Sequence, residues 1–338
     1  MRMLLGGDLC IMDNGLPQNI SLGKNLLSHC SNSDYRVVNL ECPVCKSSDK
    51  ILKTGPHIKG GAHTMPTLKE MDINLVTLAN NHIMDFDQKG LIETINICKK
   101  NNISHIGAGN NIEQACMPIS LEHEGIKISI VTYAENEWAS ATSASAGANP
   151  YDVTKCAQDI KLLSKENDFV ILIIHGGTEY YPLPTPKMVQ DYRFLAECGA
   201  SAIIAHHTHT VSGFETYNNT PIFYGLGNFI FNKPSSYSKW DTGLVIEMEL
   251  KKNNPVSFEP YIIQTDSEKQ IADILSKNES IKYFNEIDDI NAILADKALF
   301  ESKWNELVAS KANEYLASLH PLNRPKTRFL YKVLRKLG

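Results

Sequence analysis

Short runs of β-branched and apolar residues alternate with helix-period segments from the start of the chain to about residue 230, the pattern of repeated strand-helix-strand units. This pattern predicts strands over Met3–Leu5, Arg36–Leu40, Asn74–Leu78, Ile126–Thr132, Asp168–Ile174, Ser201–Ala205 and Pro221–Tyr224. Helices are predicted over Gln88–Lys100, Asp152–Lys165 and Pro186–Cys198, with Asp152 as an N-cap, Pro186 at a helix start and Gly199 as a C-cap. Leu244–Leu250 alternates apolar and polar residues, and a second extended run, Val256–Gln264, completes a predicted hairpin. From Ser267 onward the chain reads as helical and charged, with apolar spacing in Ile290–Leu299 and Trp304–Leu319. The expected division is an α/β domain over 1–265 and a helical extension over 266–338. Ser140–Ala148, made of Ala, Ser, Thr and Gly just after a strand, reads as a mobile loop placed to cover a site or as a plain surface loop.

Composition narrows the function classes. With 338 residues, 43% of them hydrophobic and 21% charged, the chain can bury a sizeable core without disulfides. A net charge of −5 gives no positive field to gather a phosphate backbone, so nucleic acid is not an expected partner. The opening Met1–Leu5 run is too short for a signal-peptide core and Phe169–Ile174 too short for a membrane span, so a cytoplasmic protein is expected. Its eight cysteines are scattered, and Cys42-Pro43-Val44-Cys45 has no second pair at zinc-ribbon spacing, so reduced packing thiols are expected. The tail from Arg324 to Gly338 holds six basic and no acidic residues, and reads either as a peripheral contact with an anionic membrane face or as a solvated helix.

The metal-capable side chains fall almost entirely after the predicted strands. Asp8 follows the first, Glu41 ends the second, Asn80-Asn81-His82 follows the third, His175-Gly-Gly-Thr-Glu179 follows Phe169–Ile174, and His206-His207-Thr208-His209 follows Ala202–Ala205. In a parallel sheet such ends lie on one side, so the motifs can converge. Each taken alone reads as a turn former, a strand terminator or a hydrogen-bonded histidine. Together, carboxylate, amide oxygen and imidazole make a donor set suited to a divalent ion that activates water.

The ordered set Gly7-Asp8, Asn39-Leu40-Glu41, Leu78-Ala79-Asn80-Asn81-His82 with Asp85 and Gly90-Leu91, Gly107-Ala108-Gly109, His175-Gly-Gly-x-Glu179-Tyr180, His206-His207-x-His209 and Gly225-Leu226-Gly227-Asn228-Phe229 resembles the CapA-type poly-γ-glutamate and capsule-biosynthesis proteins. These belong to the calcineurin-like metallophosphoesterase superfamily, and the resemblance spans roughly residues 3 to 265. It implies a four-layer α/β/β/α sandwich with two divalent ions, Mn, Fe or Zn. By the same resemblance Asp8 binds the first ion, Glu41 bridges both, Asn81, His175 and His207 complete the second, and His209 returns to the first. His82 is implied as the general acid, and Glu179 as an extra acid, base or outer partner. Two departures stand out. Asp8-Leu9-Cys10 lacks the superfamily's usual Asp-x-His, leaving Cys10 as a thiolate substitute or a packing residue, and Glu41 stands where Asp is usual. The implied function is hydrolysis of a phosphoester or of an amide in an anionic or glycan-linked polymer. The alternative is a non-catalytic accessory protein of a capsule-synthesis complex that binds polymer or synthase.

Overall fold

In the computed structural model, which describes residues 1–13 and 20–319, the predicted strands assemble into two stacked sheets. The strand Arg2–Cys10 shows why they stack. Met3 and Leu5 enter a core shared with Ile128, Ile171 and Ile204 of the other sheet, whereas Leu4 enters a core shared with Leu26, Leu68 and Leu91 of the helices. Alternate side chains leave opposite faces of a strand, so a strand apolar on both faces must be covered on both.

The larger sheet runs in the order Ser21–Leu22, Ile271–Ile274, Ser257–Asp266, Thr242–Glu249, Arg2–Cys10, Tyr35–Leu40, Leu75–Thr77, Ser104–Ile106, with Asn228–Phe231 also paired to Arg2–Cys10. The smaller runs Phe214–Tyr217, Thr220–Phe223, Ala202–His206, Phe169–His175, Ile126–Ala134, Ile119–His123. Helices Lys24–Ser31, Thr64–Glu70 and Asp87–Lys100 bury Leu26, Leu68 and Leu91 against the larger sheet. Val153–Leu163 and Pro186–Glu197 pack on each other, and the latter on Ala202–His206. The architecture is the expected sequence of helices, sheet, sheet and helices. Within each sheet the central strands are parallel, so their carboxyl ends lie together.

Local signals held where a side chain closes the backbone. Asp152 accepts from the Lys155 amide at 2.8 Å, and Thr185 caps the helix that Pro186 begins by accepting from Met188 at 3.1 Å. Such a cap contributes about 1 kcal/mol. Gly199 follows that helix with a φ of +112°, which favours glycine.

One expectation is corrected. Residues from 266 do not begin as helix: Ile271–Ile274 forms a strand that buries Ala272 and Ile274, and the first compact unit continues to Asn291. Four residues are too few to show a strand period amid charged neighbours. Helix Lys277–Ala295 follows, and the described residues from Ala292 onward form a second unit that includes the helix Lys297–Leu319. Ser140–Ala148 takes the surface-loop alternative, exposed over residues 142–145 and tied by its ends. Gly147 and Ala148 pair antiparallel with Gly109 and Ala108, and the Ala141 amide donates to the Ala148 carbonyl at 2.8 Å. A Cβ on Gly147 would lie 2.3 Å from the Ala139 carbonyl oxygen, so the small residues serve close backbone approach. The basic tail 324–338 lies outside the described residues, and no helix among the described residues is long and apolar enough to cross a membrane.

Candidate metal centre

The larger sheet supplies the carboxylates. The pairing of Arg2–Cys10 with Tyr35–Leu40 shifts register between Leu5 and Asp8, and such an irregularity re-aims a side chain. Gly7 makes the approach feasible, since a Cβ there would lie 2.0 Å from the Gly227 carbonyl oxygen. Asp8 is buried; its Oδ1 accepts from Asn39 Nδ2 at 2.7 Å and its Oδ2 from the His207 amide at 3.0 Å. Glu41 follows its strand with its amide bonded to the Leu9 carbonyl at 3.0 Å. The two adjacent asparagines divide their tasks. Asn80 donates to the Leu40 carbonyl at 2.9 Å and so ties strand ends, while Asn81 turns its Oδ1 to His175.

The smaller sheet supplies the imidazoles. His175 is level with His206 and Ala134 in the parallel register. The following turn places His207 and His209 at φ of +86° and +52°, conformations that side chains rarely adopt and that cluster at functional sites. His209 Nδ1 pairs with Asn228 Oδ1 at 2.9 Å, leaving Nε2 3.5 Å from Glu41 Oε1. The glycine-containing run ending at Asn228 therefore orients His209, in the way that outer partners of metal-bound histidines do.

Two ligand groups result, each with its donor atoms within 4.8 Å of one another: Asp8, Glu41 and His209, and Glu41, His175 and His207. Around His175 Nε2 the donors are close, with Asn81 Oδ1 and His207 Nδ1 each at 3.1 Å and Glu41 Oε1 at 4.0 Å. Ligands about 2.1 Å from one ion and at right angles to each other lie roughly 3 Å apart. The residues therefore fit an ion. Glu41 makes the same case from the other side: it is fully buried and neither carboxylate oxygen has a hydrogen-bond partner. Burial, and then the nearby Asp8, push its carboxyl well above the usual carboxylate range. An uncompensated buried carboxylate is costly, and a cation between the groups removes that cost. Burial, and then the neighbouring His207, push His175 well below the ordinary histidine value. Burial and then His209 push His207 down to about 4, so both imidazoles are neutral near pH 7, the form that ligates metal.

His82 stands beside this cluster and is buried. Its Nδ1 lies 2.7 Å from Asp85 Oδ2, which also accepts from the Ile58 amide at 2.8 Å, and Asp85 is ion-paired to the buried Lys53 ammonium. Anchoring Nδ1 leaves Nε2 as the nitrogen free for proton transfer. Glu179 is exposed on the loop after Phe169–His175, where its charge contributes to raising Glu41. Cys10 does not join a ligand group: its Sγ faces Cys42 Sγ at 2.8 Å, and burial pushes its thiol up. Sequence reasoning missed Lys53, which has no motif around it, and Glu137, whose Oε2 accepts from Asn81 Nδ2 at 3.3 Å. Glu137 also follows a strand of the smaller sheet, after Ile126–Ala134, and that position was its signal.

The profile of the family described as bacterial capsule synthesis protein PGA_cap matches residues 6–233. The capsule biosynthesis protein CapA of Bacillus anthracis is 29% identical over 266 residues, covering 75% of this chain and 64% of that protein. The PGA biosynthesis protein CapA of Bacillus subtilis (strain 168) is 30% identical over 235 residues, covering 67% of this chain and 60% of that protein. The matched segment thus spans about three-fifths of these relatives' length. Among solved structures, a 5′-nucleotidase from Candida albicans SC5314 aligns with a TM-score of 0.47 at 13% identity, over 80% of this chain and 52% of that one.

Proposed function

The chain belongs to the bacterial capsule synthesis protein family PGA_cap, and from that premise we propose that it is a dinuclear metal-dependent hydrolase of surface-polymer synthesis. The observation that carries the reading is Glu41, fully buried, with no hydrogen bond to either oxygen, and common to both ligand groups. Two divalent ions bound there, Mn, Fe or Zn, supply Lewis acidity and lower the pKa of water. The chain's own residues do the rest. Asp8, Glu41 and His209 hold one ion; Glu41, Asn81, His175 and His207 hold the other. His82, fixed through Nδ1 by Asp85, gives a proton from Nε2 to the departing oxygen or nitrogen. Glu179, exposed beside the centre, serves as an outer acid or base toward substrate. The bond cleaved is a phosphoester or an amide of a γ-glutamyl or glycan-linked polymer.

The test is a screen of the full chain, loaded with Mn2+, against phosphomonoesters, phosphodiesters and γ-glutamyl amides. Turnover that vanishes in Glu41→Ala supports the hydrolase. A chain that binds metal and turns over none of these substrates supports instead an accessory protein that binds polymer or synthase.

A further inference from the structure

We propose that Glu137 is a positioning residue of the second metal position, one carboxylate that orients both Asn81 and His207. The inference rests on the metal centre proposed above and concerns how two of its ligands come to face the right way. Asn81 Oδ1 and His207 Nδ1 each lie 3.1 Å from His175 Nε2, on the inner side of the site. The opposite polar atoms of the same two side chains meet Glu137: Asn81 Nδ2 donates to Oε2 at 3.3 Å, and His207 Nε2 lies 3.8 Å from Oε1.

Both ligands have an orientation that must be chosen. An amide turned over by 180° would present its NH2 group, a donor, where an ion needs an oxygen. A neutral imidazole carries one proton, and if Nδ1 carried it the nitrogen facing the site would have no lone pair to give. A carboxylate on the outer side settles both choices, because it accepts the amide NH and favours the imidazole proton on Nε2. This is the part that carboxylate partners of metal-bound histidines play in general. The backbone holds Glu137 in place: the Glu135 amide donates to the His175 carbonyl at 2.9 Å, and the Glu137 amide donates to the Glu135 carbonyl at 2.9 Å. The loop that carries the carboxylate is thus tied to the strand that carries His175. The Glu137 side chain is 33% exposed, and among the described residues it pairs with His207 and with no lysine.

The test is calorimetric titration of the metal-stripped full chain with Mn2+, comparing wild type, Glu137→Ala and Glu137→Gln. Loss of an outer-sphere partner typically lowers metal affinity about 10- to 100-fold, and that loss is expected in Glu137→Ala at the tighter position alone. Glu137→Gln, which still offers an oxygen to Asn81, should lose less. The weaker position and the metal-free melting temperature should stay at the wild-type values. Wild-type constants in Glu137→Ala would overturn the proposal. So would equal weakening of both positions together with a lower metal-free melting temperature, the signature of a loop that is merely structural. Failure of the wild type itself to bind Mn2+ would instead sink the metal centre, before any variant is compared.

Discussion

The two metal positions share Glu41 but are prepared to different degrees. At the second, Asn81 and His207 bring their donor atoms to 3.1 Å from His175 Nε2 before any ion arrives. At the first, His209 Nε2 is 3.5 Å from Glu41 Oε1, and Asp8 has both oxygens engaged in hydrogen bonds. The contrast follows from the elements that supply the ligands. Both positions draw on ends of both sheets, but the first depends on Asp8 at a register shift, and Cys10, not a histidine, stands two residues later. The less preassembled position is thus the one whose aspartate sits at the register shift.

The largest expected effect comes from removing what the positions share. Glu41→Gln should abolish measurable binding at both, since each loses its charged common ligand, and turnover should vanish with it. The metal-free protein should nevertheless become more stable near pH 7, because the Glu41 carboxyl, pushed up by burial and then by Asp8, must take up a proton to stay buried, whereas Gln need not. Metal analysis after dialysis and melting in chelator check the two halves separately. Retention of one ion in Glu41→Gln would show that the positions are independent.

His82→Asn should leave both positions intact and lower turnover by about 10²–10⁴-fold on a substrate with a poor leaving group, the usual contribution of a positioned general acid. The loss should shrink when the leaving group needs no proton. Loss of metal from this variant would place His82 among the ligands, contrary to its bond with Asp85.

Much of this was legible in the sequence, and the parts that were not share a cause. Asp8, Glu41, Asn81, His175, His207 and His209 were visible because each follows a run of apolar residues long enough to read as a strand, and parallel strands gather their ends. Lys53 was not, because nothing near it in sequence says that it pairs with the distant Asp85, and Glu137, though it follows the strand Ile126–Ala134, stands outside any motif that would link it to Asn81 and His207. The strand Ile271–Ile274 was missed for the same reason, since its evidence is its partners, Ser257–Asp266 and Ser21–Leu22, and not its own four residues.

The histidines also predict how the metal-free protein answers to acid. His207 is held down to about 4 by burial and then by His209, against 6.5 ordinarily. Between those values the unfolded chain takes up a proton that the folded chain refuses. Its contribution to stability is thus complete above pH 6.5 and is lost as pH falls toward 4, on the order of 3 kcal/mol in all. His175, also pushed down, acts in the same direction, whereas Glu41, pushed up, acts in the opposite one. Comparing wild type with His207→Asn in chelator by denaturant unfolding at pH 7 and at pH 4 isolates the histidine, with the wild type expected to lose more. Parallel losses would mean that His207 takes up its proton as easily folded as unfolded.

The smallest effect expected is the difference between the positions themselves. By the proposal the second would have four protein ligands, Glu41, Asn81, His175 and His207, and the first three, Asp8, Glu41 and His209. One ligand fewer leaves more of an ion's shell to water, so the first position should bind on the order of tenfold more weakly. Mn2+ titration of the wild type should resolve two classes of site. His209→Ala should then erase the weaker class, and His207→Ala the tighter one, while the surviving class keeps its constant to within a few-fold, since Glu41 is retained in both variants. The reverse assignment would mean that the close donors around His175 are not a preformed site, and that Asp8, despite its two hydrogen bonds, holds the better-bound ion. Two classes of equal affinity would remove the contrast altogether and show that the geometry of Glu41, common to both, decides affinity more than the number of its companions.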